Sequence, residues 1–433
     1  MKFIDFPEIN FPVQGIEEVP MPKMVRIREK YEADKIEDIK AHLEGELDNI
    51  ELDRDSLKGK SIAITVGSRG IPHLPLMIRT ICDKLKEWGA KPFIIPAMGS
   101  HGGGTAEGNL EVINGYGITE EAMGVPIKAS MDVVLVGQMD DAAKTPIYCD
   151  KYAAEADGIV LFNKVKPHTD FKGYNESGIC KMIAIGIAKH IGCSWFHKQG
   201  FDTFGERIPI VAKEFLSKMN VVMGIGVVQN AYDEISEIMA FPKDKIMEGD
   251  HMMLEIAKKR LPRFKFDNID VLVIDRIGKN ISGEGMDPNI TGTFATPYAS
   301  GGIKAQKRAI LRLTEQTHGN AHGLGLVDVI SKKFYDDMDL EITYPNSITS
   351  TVLEFSKIPM IMINDRETFQ LCIKTCTEID REKVRLIRIK NTLDLEYIYV
   401  SEGMLDEVRN NPNLEIAGEP EELIFDSDGN LNI

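Results

Sequence analysis

The run from Lys166 to His197, KPHTDFKGYNESGICKMIAIGIAKHIGCSWFH, carries the residues best suited to chemistry. It holds three of the chain's nine histidines, His168, His190 and His197, and it sets Lys181 inside a largely apolar, helix-like segment. An ammonium group among apolar side chains costs desolvation energy, and chains seldom keep one there without a use. Imidazoles nearby offer proton transfer close to neutral pH and metal ligation. The combination points to an enzyme site that depends on a metal or a cofactor. Two uses of Lys181 stay open on these residues alone. Its stem covers an apolar face while the ammonium reaches water, or its amine, made reactive by desolvation, serves as a nucleophile or tether.

His190 and His197 are seven positions apart. On one helix they would share a face across two turns, which suits a single metal less well than the i, i+4 pair of a zinc helix. Gly192 is expected to break the helix between them, and His190 reads as structural. A second candidate is the glycine-rich MGSHGGGTAEG (98–108), which contains His101. Successive glycines let backbone N–H groups approach an anion, and a helix N-terminus follows. It is no Walker A loop, because the closing Gly-Lys-Ser/Thr is missing. GIGVVQN (224–230) lacks the third glycine of a dinucleotide fingerprint. His318 and His322 read as a hydrogen-bonded loop, His73 as a helix-start residue or a site residue, and His42 and His251 as surface positions. Cys180 and Cys193 read as small buried hydrophobes.

Strands and helices that must position these groups alternate along the chain. SIAITVG (61–67), KPFIIPA (91–97), DVVLVG (132–137), ADGIVLF (156–162) and MNVVMGIGVV (219–228) have strand length and apolar content. Between the first two, Leu74, Met77, Ile78, Ile81, Cys82 and Leu85 recur at helical spacing, and Gly89 closes that helix. Thr105 is expected to cap the helix after the glycine loop. This order predicts an α/β fold with mostly parallel sheets. Arg69, His101 and His168 each follow a predicted strand, and ligands of such sheets bind beyond the strands' carboxyl ends. Three polar groups are therefore expected to converge on one sheet edge.

A second α/β domain is expected from DVLVIDR onward, with strands at RAILRLT, PMIMI and KVRLIRI. Helices are predicted at GLVDVISKKFYDD and at NDRETFQLCIKTC, where Asn364 and Glu367 have capping-box spacing. The predicted division is 1–264, catalytic and cofactor-binding, and 265–433, contributing substrate contacts. The active site is expected in the cleft between them, with the last residues packing back on the first domain. At 433 residues the chain is long for one core.

Composition excludes several classes. A net charge of -16 argues against nucleic acid, which needs clustered Lys and Arg, and against an anionic membrane surface. No apolar run reaches membrane-spanning length, and the N-terminus has no signal-peptide core. Six scattered cysteines without a CxxC pair predict free thiols in a cytoplasmic protein.

Taken in order, these residues resemble the nickel-pincer-nucleotide-dependent lactate racemase family. SRGIP carries Arg69 after the first strand, GSHGGGTAE carries His101, and Pro167-His168, Gly173-Tyr174, Ser177-Gly178 and Lys181 follow. His197 stands sixteen residues beyond Lys181. The resemblance implies a racemase or epimerase of a small 2-hydroxy acid, supplied with its cofactor by dedicated biosynthesis enzymes. It implies Lys181 as the covalent tether of a nickel-pincer nucleotide, His197 as nickel ligand, and His101 and His168 as paired acid/base groups. Arg69 would bind the substrate carboxylate or a nearby cofactor group, and Ser68, Ser177 and Gly178 would line the cofactor. Two departures are visible. The interval from His168 to Lys181 is thirteen positions, about three longer than in the lactate enzymes. GMDPNITGTFA keeps Asp287 and Asn289 but lacks the Tyr, Gln and Lys of the family's second-domain segment, so a substrate other than lactate is expected. Asn289, Lys279, Asn280 and Lys304 are candidates for substitute contacts. The alternatives are a zinc hydrolase or lyase using the histidines, and a non-catalytic cofactor-binding protein.

Overall fold

The computed structural model describes residues 15–68, 70–141 and 144–433. Two compact units divide the chain. One is Glu32–Leu261, and the other joins Pro262–Ile433 to the N-terminal residues through Tyr31.

The unit formed by residues 32–261 is built on a five-stranded sheet in the order Lys91–Pro96, Ser61–Val66, Gly158–Lys164, Val221–Gln229, Ile235–Pro242. The first four strands are parallel and the last is antiparallel. Ile62, Ile64 and Val66 are fully buried, as expected of a parallel strand covered on both faces. Helix Leu74–Glu87 lays Leu74, Met77, Ile78, Ile81, Cys82 and Leu85 into the core beside them. It ends before Gly89, whose φ of +80° suits the left-handed turn after a helix. The run 132–137 forms strand Val133–Gln138 but lies outside this sheet. It pairs antiparallel with Pro146–Asp150, leaving Val134 and Leu135 exposed.

The other unit carries an eight-stranded sheet in the order Met360–Met362, Val329–Ser331, Lys304–Leu313, Asn268–Ile277, Leu386–Ile389, Tyr397–Ser401, Met24–Glu29, Leu414–Ile416. Its first five strands are parallel. The remaining pairings are antiparallel. The α/β class with mostly parallel sheets is thus the observed fold.

Two expectations change here. Residues 1–264 do not form one body, because Met24–Glu29 hydrogen-bonds between Tyr397–Ser401 and Leu414–Ile416. The C-terminal residues also stay with this unit: Glu421 bridges to Met24, and Leu431 N–H donates to Asp365 at 2.8 Å. The predicted helix over 325–337 contains strand Val329–Ser331, which pairs with Ala309–Ile310 on one side and 360–362 on the other. Sheet pairing of a β-branched run overrides its helical spacing there. The helix after Asn364 forms as expected, with the Asn364 side chain accepting from Glu367 N–H at 2.9 Å.

Among the described residues no single helix is long and apolar enough to cross a membrane. All six cysteines are buried free thiols.

Candidate active site

Three neighbouring parallel strands of the 32–261 unit end on the same side. Ser68 follows Ser61–Val66, His101 follows Lys91–Pro96, and His168 follows Gly158–Lys164. Arg69, the third polar group expected at this edge, lies outside the described residues. The Ser68 hydroxyl and His101 Nδ1 are hydrogen-bonded, which joins the first two strand ends. Tyr116 O–H donates to the Ser68 carbonyl at 2.7 Å, and Asn109 Nδ2 donates to the His101 carbonyl at 2.8 Å. Thr105 accepts from Gly108 N–H at 3.0 Å and so caps helix Ala106–Gly115. The loop is drawn so tightly onto this helix that a Cβ on Gly108 would meet the Gly102 carbonyl oxygen at 2.0 Å.

His168 is buried, with Nε2 against Lys181 Nζ. Its Nδ1 accepts from the Asp170 backbone N–H at 3.0 Å, which leaves the proton of the neutral ring on Nε2. Its own backbone N–H donates to the buried Glu176 carboxylate at 2.8 Å. Lys172 and Lys258 flank that carboxylate at 3.7 and 3.2 Å. Burial, followed by the charges of Lys181, Lys166 and Lys172, holds the His168 pKa well below the ordinary imidazole value.

Lys181 ends the short helix Ile179–Lys181. Asp250 caps this helix from a distant part of the sequence, accepting from Ile179 N–H at 2.7 Å and Cys180 N–H at 3.2 Å. Position 178 must be glycine, since a Cβ would fall 2.0 Å from Asp250 Oδ1. Ser177 pairs backbone to backbone with Lys166, closing the loop that carries His168.

The helical path continues through Met182–Gly186 and turns by 100° into Lys189–His197. The break falls at Ile187–Ala188, not at Gly192, which sits inside the second helix. His197 is the last residue of that helix. Its Nδ1 lies 2.7 Å from the Cys193 carbonyl oxygen and 3.4 Å from Cys193 Sγ. Phe201 and Phe204 stand edge-on to the ring. Burial works to raise the Cys193 thiol, but hydrogen bonding with His197 and Ser100 brings it below the ordinary thiol value. Burial likewise works to lower His197, and its Cys193 partner brings it above the usual value. Cys193 Sγ also lies 3.7 Å from Ser100 Oγ, and Gly99 N–H donates to the Gly186 carbonyl at 3.1 Å. The His101 loop therefore rests on the bent helical pair.

This geometry fits a tethered group that brings metal donors of its own. An Nδ1–H held by the Cys193 carbonyl leaves the lone pair of His197 on Nε2, as in metal-binding histidines. Among the described residues no group of three or more His, Cys, Asp or Glu is arranged to hold a metal unaided, which is what a zinc site would need. His190 is exposed, with its ring against Gly104.

The candidate substrate residues of the other unit do not gather in one place. Lys304 pairs with Asn268 at the starts of two parallel ten-residue strands, whereas Lys279 follows their far ends. Strands of that length separate the two lysines by roughly 30 Å. Lys279 Nζ donates to the Gly283 carbonyl at 2.5 Å. Thr314 donates to Asn280 Oδ1 at 2.6 Å. Asn289 is buried, its Nδ2 donating to Asp287 at 3.0 Å. His322 is buried between Glu284, 2.9 Å from Nε2, and Ser347, 3.3 Å from Nδ1.

Sequence reasoning missed Asp250, Lys189 and the Cys193–His197 contact. Asp250 left no local signal. Lys189 lies in the same apolar run as Lys181, so the same desolvation argument applied to it.

Fold and site define an α/β chain with an amine and imidazoles gathered at the carboxyl edge of a parallel sheet. Residues 12–206 match the family model of the lactate racemase N-terminal domain. Over this stretch the chain is similar to the lactate racemase N-terminal domain. A crystal structure of a Thermotoga maritima protein is similar in fold, with a TM-score of 0.50 and 14% identity, over 82% of this chain and 96% of that one. The lactate racemase apoprotein from Thermoanaerobacterium thermosaccharolyticum gives a TM-score of 0.48 and 15% identity, over 86% of this chain and 99% of that one. Comparison with curated proteins gives no match.

Proposed function

We propose that the chain is a cytoplasmic racemase or epimerase of a small 2-hydroxy acid, with a nickel-pincer nucleotide joined to Lys181. The observation that carries this reading is the contact of Lys181 Nζ with His168 Nε2, which puts a tethering amine beside an acid/base group. An amine must be uncharged to form an amide-type bond, so Lys181 gives up its proton before the tether forms. When bound, the nucleotide and its nickel supply a hydride acceptor and donor for the hydrogen on C2.

Lys181 anchors the group, and His197 offers Nε2 to nickel. His101 and His168 move the hydroxyl proton, each from its own strand end. A buried imidazole with a lowered pKa stays neutral into weakly acidic pH. With Lys181 consumed by the tether, His168 takes and returns the hydroxyl proton at Nε2 in its other tautomer, the Nδ1–H turned to the Asp170 carboxylate 3.6 Å away. His101 is oriented for the same task by Ser68. Arg69, next to Ser68 in sequence, is assigned the substrate carboxylate, because a guanidinium binds carboxylate bidentately. Phe171 packs against His168, and Phe201 and Phe204 against His197, which keeps water from these two rings.

The test is racemisation of C2-deuterated 2-hydroxy acids by protein co-expressed with the cofactor-biosynthesis enzymes. The reading expects racemisation of one such acid with deuterium kept at C2. Deuterium lost to water in the product would contradict it.

A further inference from the structure

Lys189 is wholly buried at the bend between the Lys181 helix and the His197 helix. Its φ of +56° is a left-handed conformation that L side chains rarely adopt. Such a conformation persists only where the surroundings over-determine it. Here they do. Its ammonium lies 2.9 Å from Asp150 Oδ2, itself fully buried, and also donates to the carbonyl of Pro96. Asp150 grips the bend a second time, its backbone N–H donating to the Ile187 carbonyl at 2.8 Å. Just before the bend the backbone widens, with Ile187 N–H donating to Met182 O, five residues back, at 2.9 Å. Widened turns of this kind recur at functional sites. Pro96 is the last residue of the strand from which the His101 loop departs. One ammonium therefore ties together the bend and the strand end that leads to His101.

We propose that Lys189 is a positioning residue. Clamped between Asp150 and Pro96, it fixes the direction in which helix Lys189–His197 leaves the Lys181 helix, and so the approach of His197 to whatever Lys181 carries. An apolar pair of similar volume would generally stabilise a core at least as well as a buried ion pair. What the ion pair adds is direction, since it has only one set of acceptors. This assignment rests on the tether reading above, and its test separates the two.

The variant is Lys189→Met/Asp150→Asn, which removes both charges together and keeps an oxygen at position 150 to cap helix Lys151–Glu155. After co-expression with the cofactor-biosynthesis enzymes, intact mass reads the Lys181 adduct and metal analysis reads nickel per chain. The expected result is an adduct close to wild type with nickel at least tenfold lower. In the apo chain, amide hydrogen exchange over residues 187–197 should rise at least tenfold while the rest of the unit is unchanged. Wild-type nickel content and wild-type exchange would overturn the assignment. So would equal loss of adduct and nickel, since the tether would then have failed and not the second helix. If the double variant does not fold, Lys189→Arg is read in the same way: lowered nickel on an intact adduct supports the assignment, and wild-type nickel overturns it. Absence of an adduct from wild-type protein would sink the tether reading, leaving the exchange measurement to decide on Lys189.

Discussion

Nε2 of His168 faces Nζ of Lys181 within one unit of the chain, thirteen positions apart in sequence. The contact is made possible by two buried carboxylates. Glu176 holds the His168 backbone, and Asp250 caps the helix that carries Lys181. Each group therefore perturbs the other, and removing one should be felt at its partner.

Lys181→Met removes a positive charge that depresses the His168 pKa. The His168 pKa should rise in the apo variant, though burial and the remaining lysines keep it below the ordinary value. Ring-proton titration by NMR measures this, and an unmoved His168 would show that the two side chains do not meet in solution.

His101→Ala and His168→Ala should each lower racemisation by about 10²–10⁴-fold, the usual contribution of a positioned acid or base. Both should keep the Lys181 adduct on intact-mass analysis. A double variant with wild-type turnover would remove both imidazoles from the reaction.

Gly108→Ala should act like a His101 variant without touching His101. The added methyl would collide with the Gly102 carbonyl, a backbone atom that can yield only by moving the loop. Turnover should fall at least tenfold with the adduct still present. Normal turnover would show that the loop's position is not critical.

Glu29 gives the chain a pH dependence of its own. Burial, opposed by hydrogen bonds from Lys265 N–H and Tyr31 O–H, raises its carboxyl from 4.5 to about 7. A raised folded pKa gives stability that is present below pH 4.5 and lost as pH rises to about 7. The loss above that pH is on the order of 3 kcal/mol at most. Glu29→Gln should flatten stability over this window and stabilise the chain at pH 8, as read by denaturant unfolding. An equal pH profile in both proteins would refute the assignment.

Much of this architecture was legible in the sequence. Strands 61–66, 91–96, 158–164 and 221–229 announce themselves as short apolar runs, since a strand covered on both faces has no polar side to interrupt it. The helix cap at Asn364 needed only local spacing. What failed was non-local. Met24–Glu29 joins a sheet whose other strands begin at residue 268, and no nearby residue signals that. The bend at Ile187–Ala188 depends on Asp150, which sequence spacing does not connect to Lys189. Lys279 and Lys304 look close in sequence, yet a parallel crossover puts them at opposite sheet edges. Ser68, His101 and His168 could be placed at one sheet edge because each follows a strand, and strand ends can be read one at a time.

The central claim is that Lys181 carries a nickel-bearing group. Its most direct test is intact mass and metal content of wild-type protein and Lys181→Ala, each co-expressed with the cofactor-biosynthesis enzymes. The account predicts a covalent mass increase and close to one nickel per chain in the wild type, and the unmodified chain mass without nickel in the variant. An adduct that survives Lys181→Ala, or a wild-type chain with neither adduct nor nickel under those conditions, would contradict it.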